Sequence, residues 1–345
     1  MIPIQNIYYM LSYAFQVLNE QGYKNIATEQ FNNTAELMAA ILEKGIAIQL
    51  KRGLGKEYIP QTEALSSLRG KIDIAESIKT QSMLRKQLIC TYDEFSVNSI
   101  MNRIIKSTVE LLLRSNISKQ RKKNLRKLMV YFSEVDFIDL YTVNWNVQYN
   151  RNNQTYHMLI SICYLVVKGL LQTQSNGHTE LMDFLDEQRM CRLYEKFILE
   201  YYRKEFKNQF TANASQIPWQ LDNEENSMLP VMQSDIMLQS GEKVLIIDAK
   251  YYEHSTQVQF DKHTLHSGNL YQIFTYVKNK EYELREKDHT VSGMLLYAKT
   301  DEEIYPNNVY QMSGNQITVR TLDLNLPFDE IAGQLNTIAK THFDL

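Results

Sequence analysis

The sequence predicts a mixed α and β chain of the α+β or α/β kind. A mixed N-terminal domain is expected over residues 1–152, and residues 153–345 read as a helical connector followed by a mixed central sheet flanked by helices. Three observations predict this. Val244 to Ile247 is an unbroken run of β-branched and leucine residues, the pattern of a buried central strand, and Ser240-Gly241 separates it from a second apolar stretch, Met232 to Gln239. Apolar residues recur at helical spacing through Tyr156 to Leu171 and Glu187 to Phe206. The order helix, strand, strand, helix, strand then runs from Glu187 to Ala298.

In chain order, Gln5 to Leu18 and Thr34 to Leu50 carry helical periodicity, and Glu57 to Ile59 is a short extended piece. Leu65 to Ile74 surrounds Arg69-Gly70-Lys71, a sharp bend from which both cations project. Leu88 to Tyr92 reads as a strand, Val97 to Leu113 as an amphipathic helix, and Ser118 to Met129 as a second helix. That second helix carries Lys119, Arg121, Lys122, Lys123, Arg126 and Lys127. The cations spread around its circumference, which reads mainly as a solvated surface, with contact to DNA or an acidic partner as the other reading. Phe132 to Tyr149 alternates in a strand-rich pattern, and the polar run Asn150 to Gln154 marks the domain boundary. In the second domain Leu193, Phe197, Tyr201 and Phe206 form a core-facing stripe. Val291 to Ala298 is a further core strand, Gln316 to Leu322 an edge strand and Asp329 to Thr341 a closing helix.

The hairpin holds the candidate chemistry. Alternation along a strand points Asp248, Lys250 and Tyr252 to one face and Ala249 and Tyr251 to the other. An Asp235 opposite Asp248 would bring two carboxylates and an ammonium to one point. Mg²⁺ takes one or two carboxylates together with waters and phosphate oxygens, and it can polarise a phosphoryl oxygen and acidify a bound water. Lys250 would orient that water or stabilise developing negative charge. The alternative is a surface hairpin with a solvated ion pair, against which stands the position of Asp248 and Lys250 after four aliphatics. Beyond the hairpin, Thr264 to Lys280 reads as a helix. At about 100° per residue it sets Asn269, Gln272 and Tyr276 on one stripe. That stripe faces either the site or water, and His266 just before it serves either packing or the site.

These elements, Asp before a hairpin, Asp-x-Lys on the strand and Gln-x-x-x-Tyr on the helix, resemble the PD-(D/E)xK nuclease superfamily and its RecB-like branch. Further blocks make a closer match: Ile2 to Ala14, Lys51 to Leu54, Leu68 to Ile72, Asn102 to Thr108, Ile247 to Tyr252 and His266 to Gln272. Together they resemble the McrC family, the nuclease component of methylation-dependent McrBC restriction systems. The resemblance implies a Mg²⁺-dependent endonuclease subunit of a type IV system, cutting methylcytosine-containing duplex DNA only with a McrB-like AAA+ GTPase. It implies Asp235, Asp248 and Lys250 as the catalytic set and Asp235, Asp248 and the Ala249 carbonyl as metal ligands. Glu195, on the preceding helix, takes the place of a further acidic residue. Gln272, Tyr276 and Asn269 would line the DNA cleft. Arg69 and Lys71, projecting from their bend, either reach carboxylates of the GTPase or salt-bridge to the chain's own surface. The superfamily's Pro-Asp is Ser234-Asp235 here. The other reading of the whole is an interaction subunit that stimulates the GTPase and keeps the nuclease fold as a scaffold.

Composition fits a division of labour. A net charge of -3 on 345 residues is not the basic footprint of an autonomous DNA binder, so DNA affinity is expected to come from a partner. Three cysteines without a C-x-x-C pair argue against a disulfide framework or zinc and for a reducing cytoplasm. Tyr8 to Val17 lacks a basic leader and cleavage site, and Met158 to Val167 is too short to span a bilayer, so neither secretion nor a membrane is expected. No G-x-x-x-x-G-K-[ST] is present, so any GTP hydrolysis belongs to another subunit.

Overall fold

A computed structural model describes residues 2–19, 23, 26, 29, 31, 33–150, 153, 155–176, 187–222, 228–252, 257–259, 262–299 and 305–345. The chain divides into two compact units, one made of Met1–Phe31 with Leu185–Leu345, the other of Asn32–Phe184. This differs from a division at 152, whose flanking residues 151, 152 and 154 lie outside the described residues. The physical reason lies in α6 (Tyr156–Asn176), placed by the sequence pattern with the second domain. Its Tyr156 hydroxyl accepts the Gly55 N–H at 2.7 Å and donates to Asn102 Oδ1 at 2.8 Å, tying it to the N-terminal half.

The inserted unit begins with α2 (Thr34–Arg52), capped by the Asn33 side chain on the Glu36 N–H. It continues through β1 (Glu57–Leu65), β2 (Lys71–Asp73), α3 (Ile74–Lys79), β3 (Leu88–Ser96), α4 (Ile100–Arg114), α5 (Lys119–Met129) and α6. β3 is the middle of a three-stranded antiparallel sheet. Pro60, which has no N–H to give a ladder, sits on edge strand β1. Gly70 has φ +69°, and a Cβ there would lie 2.3 Å from the Thr91 carbonyl, so this bend accepts only glycine. Asn102, fully buried, donates to the Gly55 and Val97 carbonyls at 2.9 and 2.8 Å. On α5, Arg121 pairs with Glu36 at 3.3 Å and Glu43 at 2.9 Å. One cation of that helix is therefore structural. Residues 133–150 form no strand. Their alternation arises because the extended chain lies on α6, with Trp145 edge-on to Tyr164 and Tyr149 edge-on to His157.

The other unit opens with α1 (Ile4–Ala14) and resumes at α7 (Glu187–Glu205). It adds β4 (Thr211–Asn213), β5 (Gln216–Ile217), β6 (Met232–Gln233), β7 (Ile236–Ser240), β8 (Lys243–Lys250), β9 (Gln257–Gln259), β10 (Lys262–Thr264), α8 (Ser267–Glu283), β11 (Thr290–Ala298), β12 (Asn308–Met312), β13 (Asn315–Leu322) and α9 (Phe328–Phe343). Six strands form a mixed sheet in the order β12-β13-β11-β8-β7-β4. β8, β11 and β13 run parallel, and β7 pairs antiparallel with β8. β13 is internal, where the sequence pattern suggested an edge, because β12 folds back on it. Asn6 in α1 is buried and donates to the Leu324 and Leu326 carbonyls, both at 2.8 Å, while Tyr9 stacks on Phe328.

One face of the sheet is covered by α8, with Met237, Val244, Ile246, Ile273, Val277 and Leu295 in the core. Their approach is closest at Gly293. A Cβ there would lie 2.8 Å from Ile273 Cγ1 and Val277 Cγ2 and 2.9 Å from Ile317 Cδ1. Gly293→Ala is expected to lose about 1–3 kcal/mol through overpacking. Thermal unfolding of the variant measures it, and an unchanged midpoint would mean that α8 is free to give way.

Candidate active site

The chain reaches the site along two strand ends. Ser234 is buried, donates its N–H to the Ser215 carbonyl at 3.0 Å, and so fixes the segment just before β7. A proline could not make that bond, so serine anchors this position by a different means. Asp235 follows, one step beyond the Ile236–Ile247 pair, where the ladder brings it opposite Asp248. Its Oδ2 accepts the Ala249 N–H at 2.9 Å.

Asp248 is only 1 % exposed, and neither of its oxygens accepts a hydrogen bond. Lys250 Nζ lies 2.8 Å from Asp248 Oδ2, an ion pair whose alignment falls short of a directed hydrogen bond. Burial pushes the Asp248 carboxyl up to about 7; Lys250 opposes that rise and Asp235 adds to it. For Lys250, burial favours losing the proton, but Asp248 and Asp235 outweigh it and hold the ammonium more firmly than usual. This is a strand end with too little positive charge for its carboxylates.

Helix α7 brings a third carboxylate. Cys191 donates to Glu195 Oε1 at 3.0 Å, and its sulfur lies 3.9 Å from the Ala249 carbonyl. Burial, then Asp235, raises the Glu195 pKa, with Cys191, Lys250 and Arg192 opposing. Burial also pushes the Cys191 thiol up to about 12. The sequence reading passed over Cys191. Its position four residues before Glu195, on the same helix face, was the available signal.

Helix α8 supports the ammonium from the other side. Lys250 donates to Gln272 Oε1 at 3.5 Å, and Gln272 Nε2 to the Tyr276 hydroxyl at 2.9 Å. Tyr252 donates to Asn269 Oδ1 at 3.3 Å, and Asn269 Nδ2 to the Tyr297 hydroxyl at 3.0 Å. Asn269 and Tyr276 are each 8 % exposed. Their hydrogen-bond partners make them braces behind Lys250 and the end of β8 rather than open cleft surface. Tyr297, not singled out from sequence, sits in register with Lys250. The His266 ring packs 5.1 Å from Tyr252. Far along the chain, Arg69 lies 4.1 Å over the Tyr92 ring and Lys71 is exposed at the start of β2. Both belong to the other unit.

Residues 5–298 match the family described as McrBC 5-methylcytosine restriction system component. The chain belongs to that family. Among McrBC relatives, the Escherichia coli K12 protein described as type IV methyl-directed restriction enzyme EcoKMcrBC is 30% identical over 329 residues, covering 94% of this chain and 93% of the relative. A solved Thermococcus gammatolerans assembly, described as a half-complex from a tetradecamer of McrB AAA+ hexamers with bound McrC, aligns at a TM-score of 0.48. Its identity is 18%, over 97% of this chain and 76% of that one. The T. gammatolerans McrBC complex seen by cryo-EM aligns at 0.41 and 20% identity, over 59% of each chain. The McrBC match contains Glu195, Asp235, Asp248, Lys250 and Gln272, and it stops at the end of β11. Among the described residues no helix is long and apolar enough to cross a membrane.

Proposed function

We propose that this chain is the DNA-cleaving subunit of a methylcytosine-dependent restriction complex and works with an AAA+ GTPase. The observation that carries the reading is the enclosed Asp248 carboxylate, without a hydrogen bond on either oxygen, beside Asp235 and Lys250 at a strand end. Among the described residues no three His, Cys, Asp or Glu side chains are gathered as a metal cage. Mg²⁺ does not need one, since two carboxylates and a carbonyl leave positions for water and phosphate. Asp235, Asp248 and the Ala249 carbonyl would hold it, and when bound it supplies charge for a phosphoryl oxygen and acidifies water.

The chain's own groups do the rest. Lys250, which keeps its proton, is a charge donor to the negative charge that develops on the phosphate, rather than a base. Gln272 accepts from its ammonium and in turn donates to Tyr276, and Glu195 adds a carboxylate that feels the charge of Asp235. The test is cleavage of a 5-methylcytosine duplex by the full chain assembled with its GTPase, with GTP and Mg²⁺. Methyl-dependent cleavage is expected. An assembled complex that hydrolyses GTP and leaves the DNA whole would favour a scaffold subunit instead.

The inserted unit supports the partner half of the reading. Tyr58, Ile74, Ile78, Met83, Leu84 and Phe95 are all exposed within residues 57–96, far more apolar surface than a solvated sheet needs. Arg69 is already stacked on Tyr92, so these side chains are better candidates for contact with the GTPase than the Arg69–Lys71 bend. Leu84 is 81% exposed, so Leu84→Glu should leave folding unchanged while weakening co-purification with the GTPase. Full assembly by that variant would move the contact elsewhere.

A further inference from the structure

Seven enclosed side-chain polar atoms lack a hydrogen-bond partner among the described residues. Two belong to Asp248. Three others, Arg320 Nε, Gln334 Nε2 and His342 Nε2, line one cleft between the sheet and α9. The cleft consists of two adjoining cavities of about 220 and 300 Å³ that share Arg320 and Ile338. Arg320 on β13 is in register with Leu296, which in turn pairs with Ala249. Three-strand rows of this kind place Arg320 about 10 Å from the end of β8.

The lining chemistry points one way. No Asp or Glu lines either cavity among the described residues, while Arg320, Lys243 and His342 do. Lys243 is offset by Asp344 at 2.6 Å. Arg320 is half-buried with its Nε enclosed, and it has no carboxylate partner among the described residues, so one of its donors is left unpaired. Gln334 Oε1 accepts the Asp323 N–H at 3.2 Å, which leaves its NH₂ end as the group presented to the cleft. Thr318 and Ser292 add hydroxyls from the strand floor. A half-buried guanidinium without a carboxylate partner, with neutral donors around it, is an arrangement that binds phosphate. Arg320 shares a row with Ala249, whose neighbours Asp248 and Lys250 point to the opposite face of the sheet, so this site is separate from the one already described.

We propose that the cleft between β8, β11, β13 and α9 binds a phosphate group, with Arg320 as its charge partner and Gln334 as a neutral donor. This stands on the cleft's own geometry and does not depend on the cleavage reading. The phosphate is either a free ion or a phosphodiester of duplex DNA, and calorimetric titration of the full chain at fixed ionic strength separates the two. Inorganic phosphate is expected to bind the wild type, and Arg320→Met to weaken it roughly tenfold or more. Gln334→Leu should weaken it less. Failure of inorganic phosphate to bind, with a 12-base-pair duplex that binds and loses affinity in Arg320→Met, assigns the site to DNA. Equal affinity of wild type and Arg320→Met for both probes overturns the proposal. The thermal midpoint without ligand is a second readout. Arg320→Met forfeits no ion pair, so the midpoint should hold or rise, and a clear fall would make Arg320 a structural residue and overturn the assignment.

Discussion

Asp248→Asn is expected to remove DNA cleavage by the assembled complex while leaving the protein at least as stable as before. The substitution keeps the shape of the side chain and removes the charge, so a metal ligand is lost. Loss of one such electrostatic contact costs roughly 10²–10³ in rate, about 3–4 kcal/mol, and loss of a ligand more. Stability moves the other way. A carboxyl whose proton affinity burial raises, here to about 7, weakens the metal-free fold once the pH exceeds its unfolded value of about 3.9. Asn removes that penalty above the unfolded value and gives up only the Lys250 ion pair at 2.8 Å, whose pull on the Asp248 carboxyl burial outweighs. Lys250→Ala should be equally inactive but less stable, because it leaves Asp248 enclosed without its cation. Cleavage near the wild-type rate by either assembled variant would withdraw the site. A lower midpoint for Asp248→Asn at pH 8 would show that the carboxylate holds the fold together.

Deleting residues 1–31 should unfold the unit that carries the site. Ile7, Met10, Leu11 and Leu18 are buried against it. At roughly 1.5–3 kcal/mol for each large apolar side chain, their loss reaches about 6–12 kcal/mol as an upper figure. That is comparable with the whole stability of a domain, about 5–15 kcal/mol. Asn6 also clamps two carbonyls of the segment before α9. A chain starting at residue 153, the boundary that the sequence suggests, lacks all of this. Circular dichroism and limited proteolysis decide the matter, and a cooperative, protease-resistant fold of the shortened chain would show α1 to be dispensable.

Strong local patterns were legible in the sequence. The aliphatic run ending in Asp248 gave the central strand because only a strand covered on both faces tolerates it, and β8 is such a strand. Asp235 was legible because hairpin register places it opposite Asp248. The membership of α1 was not, since its partners lie more than three hundred residues away and no local period reports them. The extended chain at 133–150 carried a strand's alternation, but periodicity tells which side chains face a surface and not whether that surface is a strand or a helix. Cys191 and Tyr297 were missed because each acts through a neighbour that only the fold supplies.

The interrupted unit also sets an order in time. Residues 32–184 emerge from the ribosome as one contiguous segment, whereas α1 emerges first and its acceptor carbonyls at Leu324 and Leu326 follow 318 and 320 residues later. At about 5–20 residues per second, that interval is tens of seconds. The inserted unit is complete well before the carboxylates at β7 and β8 can be locked into a finished sheet. A nascent chain therefore carries the exposed apolar surface of residues 57–96 before it carries a finished carboxylate site, so on the proposed reading it can meet its partner before it is able to cut.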